Sequence, residues 1–416
     1  GSFGYGQPHY VLGRNGALVY NSVNGVIRNL YAPAISSTTQ WSNNFPAVNP
    51  PFAITDMEFN RDGTGVTGFD PGLFGPKNTG SLALGGDNAS AYGDQYIQTP
   101  LKRWTTYFAG QYELSDALKV NTELTYAKRT ANSRSLTAAT RAALAIRPDN
   151  AYLPASVRTA LNGQSFSYGK DMDEQLDNAV SSDVTVFRGL LGLSGNLFSD
   201  WTWDAYYQYG HTQRDSSVKY SRHNDAFAMA VDAVRLTPGG PIVCRPLEPT
   251  LMARFTQAYR DELNALYAQC KPLNLFGVQQ LDPAAVNFAW RPQNQEFSYK
   301  QHVLSASVQG TVFEGFGAGP ISAAAGIEHR RESGDIVNNK GTITPTGGYS
   351  FALGLDYAGK IQVTEGFLET DIPVFRDSAI GDMFNLNGAV RVTRNKSTDG
   401  ISNRSKTVDE VSWKLR

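Results

Sequence analysis

Hydrophobic and polar residues alternate along two neighbouring segments of this chain, residues 103–114 and 118–130. In the first segment Trp104, Phe108 and Tyr112 share one side, and charged or small residues occupy the other. Because successive side chains of a strand point to opposite faces, each segment predicts a strand with one apolar and one polar face. About twelve tilted residues cross roughly 28 Å, close to the thickness of a hydrocarbon core. The pattern predicts the wall of a membrane β-barrel.

Three further hairpins repeat this pattern, at residues 183–212, 301–331 and 361–393, and residues 406–416 predict a ninth strand. The turns inside hairpins are short and the connections between hairpins are long, as on the two sides of a membrane barrel. We therefore predict an all-β fold, an antiparallel transmembrane β-barrel of which this chain supplies eight or nine strands. Residues 1–95 are predicted as an external loop region with short strands. Residues 96–416 are predicted as barrel strands with external loops at 131–182, 213–300 and 332–360.

The long connections contain helical patterns of their own. Residues 137–147 are rich in alanine, and residues 224–236 begin with an N-cap candidate at Asn224 or Asp225. Residues 249–269 place Leu251, Phe255 and Leu263 at helical spacing. We expect short surface helices that pack on a small core within the loops.

The composition argues against some classes of function but does not distinguish between the possible folds. The formal charge is −1, which gives no basic excess for a nucleic-acid partner. Mean hydropathy is −0.34 and no run of 18 apolar residues occurs, which argues against a membrane helix. A barrel with a polar interior and a soluble all-β protein both fit these values.

The two cysteines, Cys244 and Cys270, lie in the longest connection and bracket the 249–269 helix. A disulfide and a pair of free thiols both fit this arrangement, and their shared loop favours the disulfide. A bridge would indicate an oxidising location. A metal pair is not expected, because no histidine or further cysteine stands at ligand spacing.

No catalytic arrangement is recognised, so we expect neither an enzyme nor a resident cofactor. The glycine-rich residues 315–319 fall in a hairpin turn, whereas a phosphate-binding loop requires a following helix. An acidic run, Asp171, Asp173, Glu174 and Asp177, lacks the glycine turn of a calcium loop, and we interpret it as solvated.

Several stretches, taken in order, resemble the barrel of the TonB-dependent receptors, the energised outer-membrane transporters of Gram-negative bacteria. The resemblance covers roughly residues 80–416 and is carried by Gly85-Gly86-Asp87, Leu101-Lys102-Arg103, Tyr112-Glu113-Leu114-Ser115-Asp116, Trp201-Thr202-Trp203-Asp204, Val243-Cys244-Arg245, Cys270-Lys271-Pro272-Leu273-Asn274-Leu275-Phe276-Gly277, Gly326-Ile327-Glu328-His329-Arg330 and Val363-Thr364-Glu365-Gly366-Phe367-Leu368-Glu369.

The resemblance implies uptake of a scarce nutrient (a siderophore, vitamin or oligosaccharide) across the outer membrane. The implied partners are outer-membrane lipid, a small-molecule or glycan ligand, and the TonB complex. TonB would be contacted through an N-terminal part that, like the plug domain, is not seen in this sequence. A passive porin-like channel and a surface-exposed binding or adhesion protein are the alternatives.

Alternation and the resemblance together assign candidate residues. Charged residues predicted to face the lumen are Arg103, Glu123, Arg129, Glu328, Arg330, Glu365, Glu369 and Arg391. Aromatic rings on loops can stack on sugars or flat chelates, and the predicted substrate contacts are Trp41, Tyr152, Tyr168 and Trp290.

Overall fold

The computed structural model describes residues 16–18, 21–28, 54–72, 82–84, 86–89, 96, 98–115, 117–134, 144–339, 348–349 and 356–416. The strands, in chain order, are β1 Gly16–Leu18, β2 Val26–Arg28, β3 Met57–Phe59, β4 Val66–Gly68, β5 Leu82–Leu84, β6 Leu101–Ser115, β7 Leu118–Arg134, β8 Leu144–Ile146, β9 Phe166–Gly169, β10 Ala179–Asn196, β11 Thr202–Arg222, β12 Ala233–Arg235, β13 Ile242–Cys244, β14 Trp290–Phe313, β15 Ile321–Asn338, β16 Tyr357–Ser378, β17 Gly381–Asp399 and β18 Ser405–Leu415. The helices are α1 Ala155–Leu161, α2 Asn224–Val231, α3 Pro249–Met252, α4 Gln257–Tyr267 and α5 Pro283–Ala289.

The nine long strands form one antiparallel sheet in the order β18-β17-β16-β15-β14-β11-β10-β7-β6. Strands that follow one another among these nine are neighbours in the sheet, as in a meander. This confirms the predicted all-β class, the strand number and the ninth strand. We call this sheet the main sheet. Among the described residues, its two edge strands are β6 and β18.

The connections are short at one end of the main sheet and, with one exception, long at the other. Five residues at 400–404 join β17 to β18 at the long-loop end, so the predicted strict alternation of connection length is wrong there. The strands also run further than predicted: β11 reaches Arg222 and β14 begins at Trp290. Their outer parts have no apolar alternation, but polar pairs such as Arg214 with Gln295, 2.8 Å apart, continue the pairing. Backbone pairing alone extends a strand where the side chains are polar on both faces.

Segments beyond the long-loop end form a compact unit with its own core, which we call the loop layer. It contains a five-stranded sheet in the order β4-β3-β2-β9-β8, the two-stranded pair β12-β13 and the five helices. Phe59, Tyr168 and Phe276 pack together, with ring centroids 4.7 to 5.9 Å apart. Trp290 packs edge-on against Phe227, with centroids 5.2 Å apart. The buried apolar cluster of the described chain lies in the loop layer rather than behind the main sheet.

The buried amine of Lys170 links distant segments of the loop layer. It donates hydrogen bonds to the carbonyl oxygens of Val23 and of Gly277, the latter at 2.8 Å. Burial lowers the pKa of Lys170 to about 7. The Lys170 side chain, at the end of β9, thus connects the residues just before β2 with the segment after α4.

Two helix predictions require correction. The side chain of His223, rather than Asn224 or Asp225, caps α2 by accepting from the Ala226 N–H, because Asp225 turns inward to Tyr259. The predicted 249–269 helix is divided into α3 and α4, since Thr256 starts a new helix by accepting from the Tyr259 N–H. Of the 137–147 prediction, residues 137–143 lie outside the described residues, and Leu144–Ile146 is a strand rather than a helix. None of the described helices has the length and hydropathy needed to cross a bilayer.

Cys244 and Cys270 form the predicted disulfide, with Cα atoms 6.3 Å apart. It closes a segment of 26 residues that includes α3 and α4. In the chain-entropy model a loop of this length contributes about 3 kcal/mol.

We expect the double variant C244S/C270S to open this segment roughly a hundredfold more often, because the unfolded loop regains its freedom. Limited trypsin digestion of the folded protein should then cut faster at Arg254 and Arg260, while cleavage within the main sheet is unchanged. Equal cleavage rates at the two arginines before and after substitution would contradict this role.

Candidate functional site

One face of the main sheet, the apolar face, is uncovered. Residues directly opposite one another in antiparallel strands share a face, and Leu304 therefore lies on the same side as Tyr207 and His329. The band on this face includes Trp104, Phe108, Leu124, Leu191, Tyr207, Leu304, Ile327, Leu368, Val390 and Trp413. Leu304 is 57% exposed, Ile327 67% and Trp413 78%. No second sheet in the described part of the chain packs against this band, and a water-soluble surface rarely leaves so large an apolar patch open.

The opposite face of the main sheet, the polar face, carries the charged residues. The strand registers bring together on this face all eight side chains predicted to line a lumen, Arg103, Glu123, Arg129, Glu328, Arg330, Glu365, Glu369 and Arg391. Their shared face follows from the register, and that this face borders a lumen stays a prediction.

A continuous polar network crosses five strands of the polar face. It runs through Glu123, Arg188, Gln208, Gln301, Glu332 and Arg330. The Arg188–Glu123 ion pair measures 2.8 Å, and the Gln301 amide donates to Glu332 at 2.9 Å. Each of these side chains is held by a neighbour on the adjacent strand, except Arg330, which pairs with Glu332 of its own strand, so the face is ordered as well as polar.

Two carboxylates, Glu328 and Glu365, stand directly opposite each other on β15 and β16. Like charges in this position repel. Arg391 offsets the repulsion by pairing with Glu365 at 3.2 Å, and Arg330 lies 3.9 Å from Glu328. These four side chains are 25% to 49% exposed. The arrangement requires a well-hydrated environment, because a dry interior would make two opposed carboxylates costly.

A cavity of about 410 Å³ opens where α5 leads into β14. Its cations are Lys271 and Arg291, neither of which pairs with a carboxylate among the described residues. Gln293 and Asn339 are buried and joined by a 2.7 Å hydrogen bond at its wall. Tyr349 adds an aromatic ring. Two cations beside amides suit a ligand with oxygen acceptors.

The buried ring of His223 contacts Tyr349 of the cavity wall, and a second buried titratable group, Asp225, follows two residues later in α2. The ring of His223 meets that of Tyr349 edge-on at 5.1 Å, and burial, aided by Arg291, lowers the pKa of His223 to about 4. Burial raises the pKa of Asp225 to about 6, although the Tyr259 hydroxyl donates to it at 2.7 Å and opposes the rise. Glu262 influences both groups.

Of the four aromatic residues predicted to contact substrate, two are buried. Tyr168 and Trp290 are buried in the loop-layer core, so the prediction that they are exposed to substrate is wrong. The Tyr168 hydroxyl donates to the Leu275 carbonyl at 2.7 Å instead. Tyr152 is half-buried and packs against the same core. Trp41 lies outside the described residues.

The interpretation of the acidic run as solvated is wrong for Asp171 and confirmed for Glu174 and Asp177, which are exposed. Asp171 is buried and accepts from the Asn21 amide at 2.9 Å, and burial raises its pKa. Glu174 pairs with Arg61 at 2.8 Å. Among the described residues, no group of three or more His, Cys, Asp or Glu side chains is placed to hold a metal ion.

Sequence reasoning missed the cavity at Lys271 and Arg291. The only signal was the polar run after Trp290, where Gln293, Asn294 and Gln295 follow Arg291. This run fell within the predicted external loop at 213–300, and nothing in the sequence distinguished it from the rest of that loop.

The comparisons with known proteins found similarity among solved structures. No family model and no curated protein match this sequence. One match is to the closed form of the ferric-catecholate import receptor Fiu from K12 E. coli, with 11% identity and a TM-score of 0.29. The match covers 97% of this chain and 59% of the receptor chain, so this chain spans about three fifths of that protein's length.

The pKa shifts of His223 and Asp225 predict opposing pH dependences. Neutral His223 binds fewer protons folded than unfolded, so its contribution to the unfolding free energy falls as pH drops from about 6.5 to 4. Asp225 binds more protons when folded, so its contribution rises as pH drops through about 6. In D225N only the His223 contribution remains, so we expect the unfolding free energy to fall by up to about 3 kcal/mol as pH drops from about 6.5 to 4. In H223N only the Asp225 contribution remains, so we expect the unfolding free energy to rise as pH drops through about 6.

Urea titrations from pH 4 to 7, read by pulse proteolysis of the loop layer, measure both slopes. The side chain of Asn at position 223 retains a capping oxygen, which limits the loss of α2 itself. Three parallel pH profiles for wild type and the two variants would contradict the assignment.

Proposed function

We propose that this chain forms part of the barrel wall and the external loops of a TonB-dependent outer-membrane receptor that takes up a scarce nutrient. The uncovered apolar face of the main sheet carries this proposal. Its residues would be stable against lipid, and its backbone groups are already paired within the sheet, as a bilayer requires. A polar network on the opposite face fits a hydrated interior.

The two edge strands support an assembly larger than this chain. Within the described residues, strands β6 and β18 each have a neighbour on one side only and so present one row of backbone groups without a strand partner. Such rows are not stable in lipid, so we propose that further strands of the same polypeptide pair with both edges and close the barrel. The plug and the TonB contact would lie in that remaining part.

The loop-layer cavity supplies a place for ligand. Lys271 and Arg291 with the nearby amides favour a ligand rich in carboxylate, catecholate or hydroxyl oxygens. Because Gln293 and Asn339 are already hydrogen-bonded to each other, the wall is ordered before ligand arrives. A siderophore, a vitamin and an oligosaccharide all belong to this chemical class.

Paired cysteine variants test which face meets lipid. Both native cysteines are in the disulfide, so L304C and S305C each add a single free thiol, on the apolar and the polar face respectively. With the whole polypeptide in outer membranes, we expect a nitroxide on residue 304 to collide with lipid-soluble oxygen. A nitroxide on residue 305 should collide with a water-soluble nickel chelate. Equal access of the nickel chelate to both positions would refute the membrane wall.

Uptake measurements separate the proposed receptor from its alternatives. A strain lacking the protein should lose accumulation of one labelled probe among a ferric siderophore, cobalamin and an oligosaccharide, and a proton uncoupler should abolish that uptake. Uptake that survives the uncoupler would indicate a passive channel, and binding without uptake would indicate an adhesin.

The same assay tests the cavity. We expect K271Q/R291Q to weaken binding of that probe about tenfold or more, because charge-assisted hydrogen bonds to the ligand are lost. The control R254Q removes a loop cation outside the cavity and should bind as wild type does. Equal affinities for both variants would exclude the cavity as the binding site.

A further inference from the structure

On strands β14 to β17, four cations stand beyond the apolar band on the apolar face, at the loop-layer end of the strands. They are Lys300 on β14, Arg331 on β15, Lys360 on β16 and Lys396 on β17. We call this group the cationic rim. Lys300, Arg331 and Lys396 are exposed, and Lys360 is half-buried.

The rim is arranged as two adjoining rows that cross the strands. In one row, Lys300 on β14 lies opposite Ser333 on β15, and Ser333 in turn lies opposite Lys360 on β16. In the other, Arg331, Gln362 and Lys396 are opposite across β15, β16 and β17. Cations within a row are two strands apart, about 10 Å, and the rows are separated by about 7 Å. A neutral hydrogen-bonding side chain lies between the two cations of each row.

None of the four rim cations forms an ion pair with a carboxylate of the described residues. The next cation toward the band, Arg394, differs because Asp409 binds it through two hydrogen bonds of 2.7 and 3.0 Å. The register places one carboxylate, Asp335, on the same face diagonal to Lys300 and Lys360, so four cations beside one carboxylate leave the rim with a net positive charge.

The position of the rim identifies what can neutralise it. Two residue pairs further along the strands, past the row of His329, Thr364 and Arg394, the row through Ile327, Gly366 and Val392 belongs to the apolar band. A group that touches both surfaces has an apolar body and an anionic head. At the opposite end of the band the same face ends in apolar residues such as Leu118, Ile321 and Leu415. The cations thus distinguish the loop-layer side of the membrane from the other side.

We propose that the cationic rim binds the phosphorylated headgroups of lipids in the membrane leaflet on the loop-layer side. Resting on the proposed function, this inference adds a lipid-binding site to the outer surface of the wall. Lys300, Arg331, Lys360 and Lys396 contact phosphate oxygens, and Ser333 and Gln362 donate hydrogen bonds between them. The acyl chains of the same lipids cover the band beneath.

Charge-neutralised variants test the rim. The whole polypeptide, purified and placed in phosphatidylcholine nanodiscs, is titrated with phosphatidylglycerol, and bound lipid is counted by native mass spectrometry. We expect K300Q/R331Q/K396Q to bind phosphatidylglycerol roughly fivefold more weakly for each charge removed, and K300R/K396R to bind as wild type does. The matched control R376Q/K406Q/K414Q also removes three exposed cations, from the polar face of β16 and β18.

Equal phosphatidylglycerol binding by the rim and control variants would overturn the proposal. Displacement of the lipid by inorganic phosphate at a similar concentration would also overturn it, because it would indicate a site for soluble anions. The residue 304 label separates this inference from the proposed function. If the label on residue 304 is exposed to lipid and the rim variants bind phosphatidylglycerol as wild type does, only the lipid-binding proposal is refuted. If the label is exposed to water, the proposed function is refuted as well.

Discussion

The two faces of the main sheet require different surroundings, and the rest of the structure depends on this difference. The residues around Leu304 and Ile327 would expose a wide apolar surface to water, whereas the opposed carboxylates Glu328 and Glu365 need water beside them. No arrangement in a single solvent satisfies both faces. A sheet that separates hydrocarbon from an aqueous interior satisfies both, because its backbone hydrogen bonds are made between strands and require neither solvent.

The loop layer follows the opposite rule. Its apolar residues are collected into an interior around Tyr168, Phe59 and Trp290, as in a water-soluble domain. The main sheet thus exposes its apolar side chains on one face, whereas the loop layer buries its apolar side chains in an interior. They meet where β11 and β14 run beyond the apolar band, and there both faces of the strands are polar.

Sequence alternation predicted the main sheet well because a strand repeats every two residues, so the identity of one side chain fixes the face of the next. All eight charged wall residues, from Arg103 to Arg391, fell on one face for this reason. Alternation carries no such information in the loops. Tyr168 and Trp290 look like exposed aromatic residues in sequence, yet their burial is decided by contacts with segments far away, such as Phe276 and Phe227. The cavity beside Arg291 was missed for the same reason.

The hydrogen bonds of Lys170 have a consequence for the order of assembly. Its partners Val23 and Gly277 are 147 and 107 residues away in the chain. Contacts of such sequence separation close late, since the entropy lost in closing a long loop precedes any gain from the contact. Neighbouring hairpins of the wall need only local pairing. The main sheet can therefore register strand by strand, while the loop layer becomes complete only after nearly two thirds of this sequence is in place.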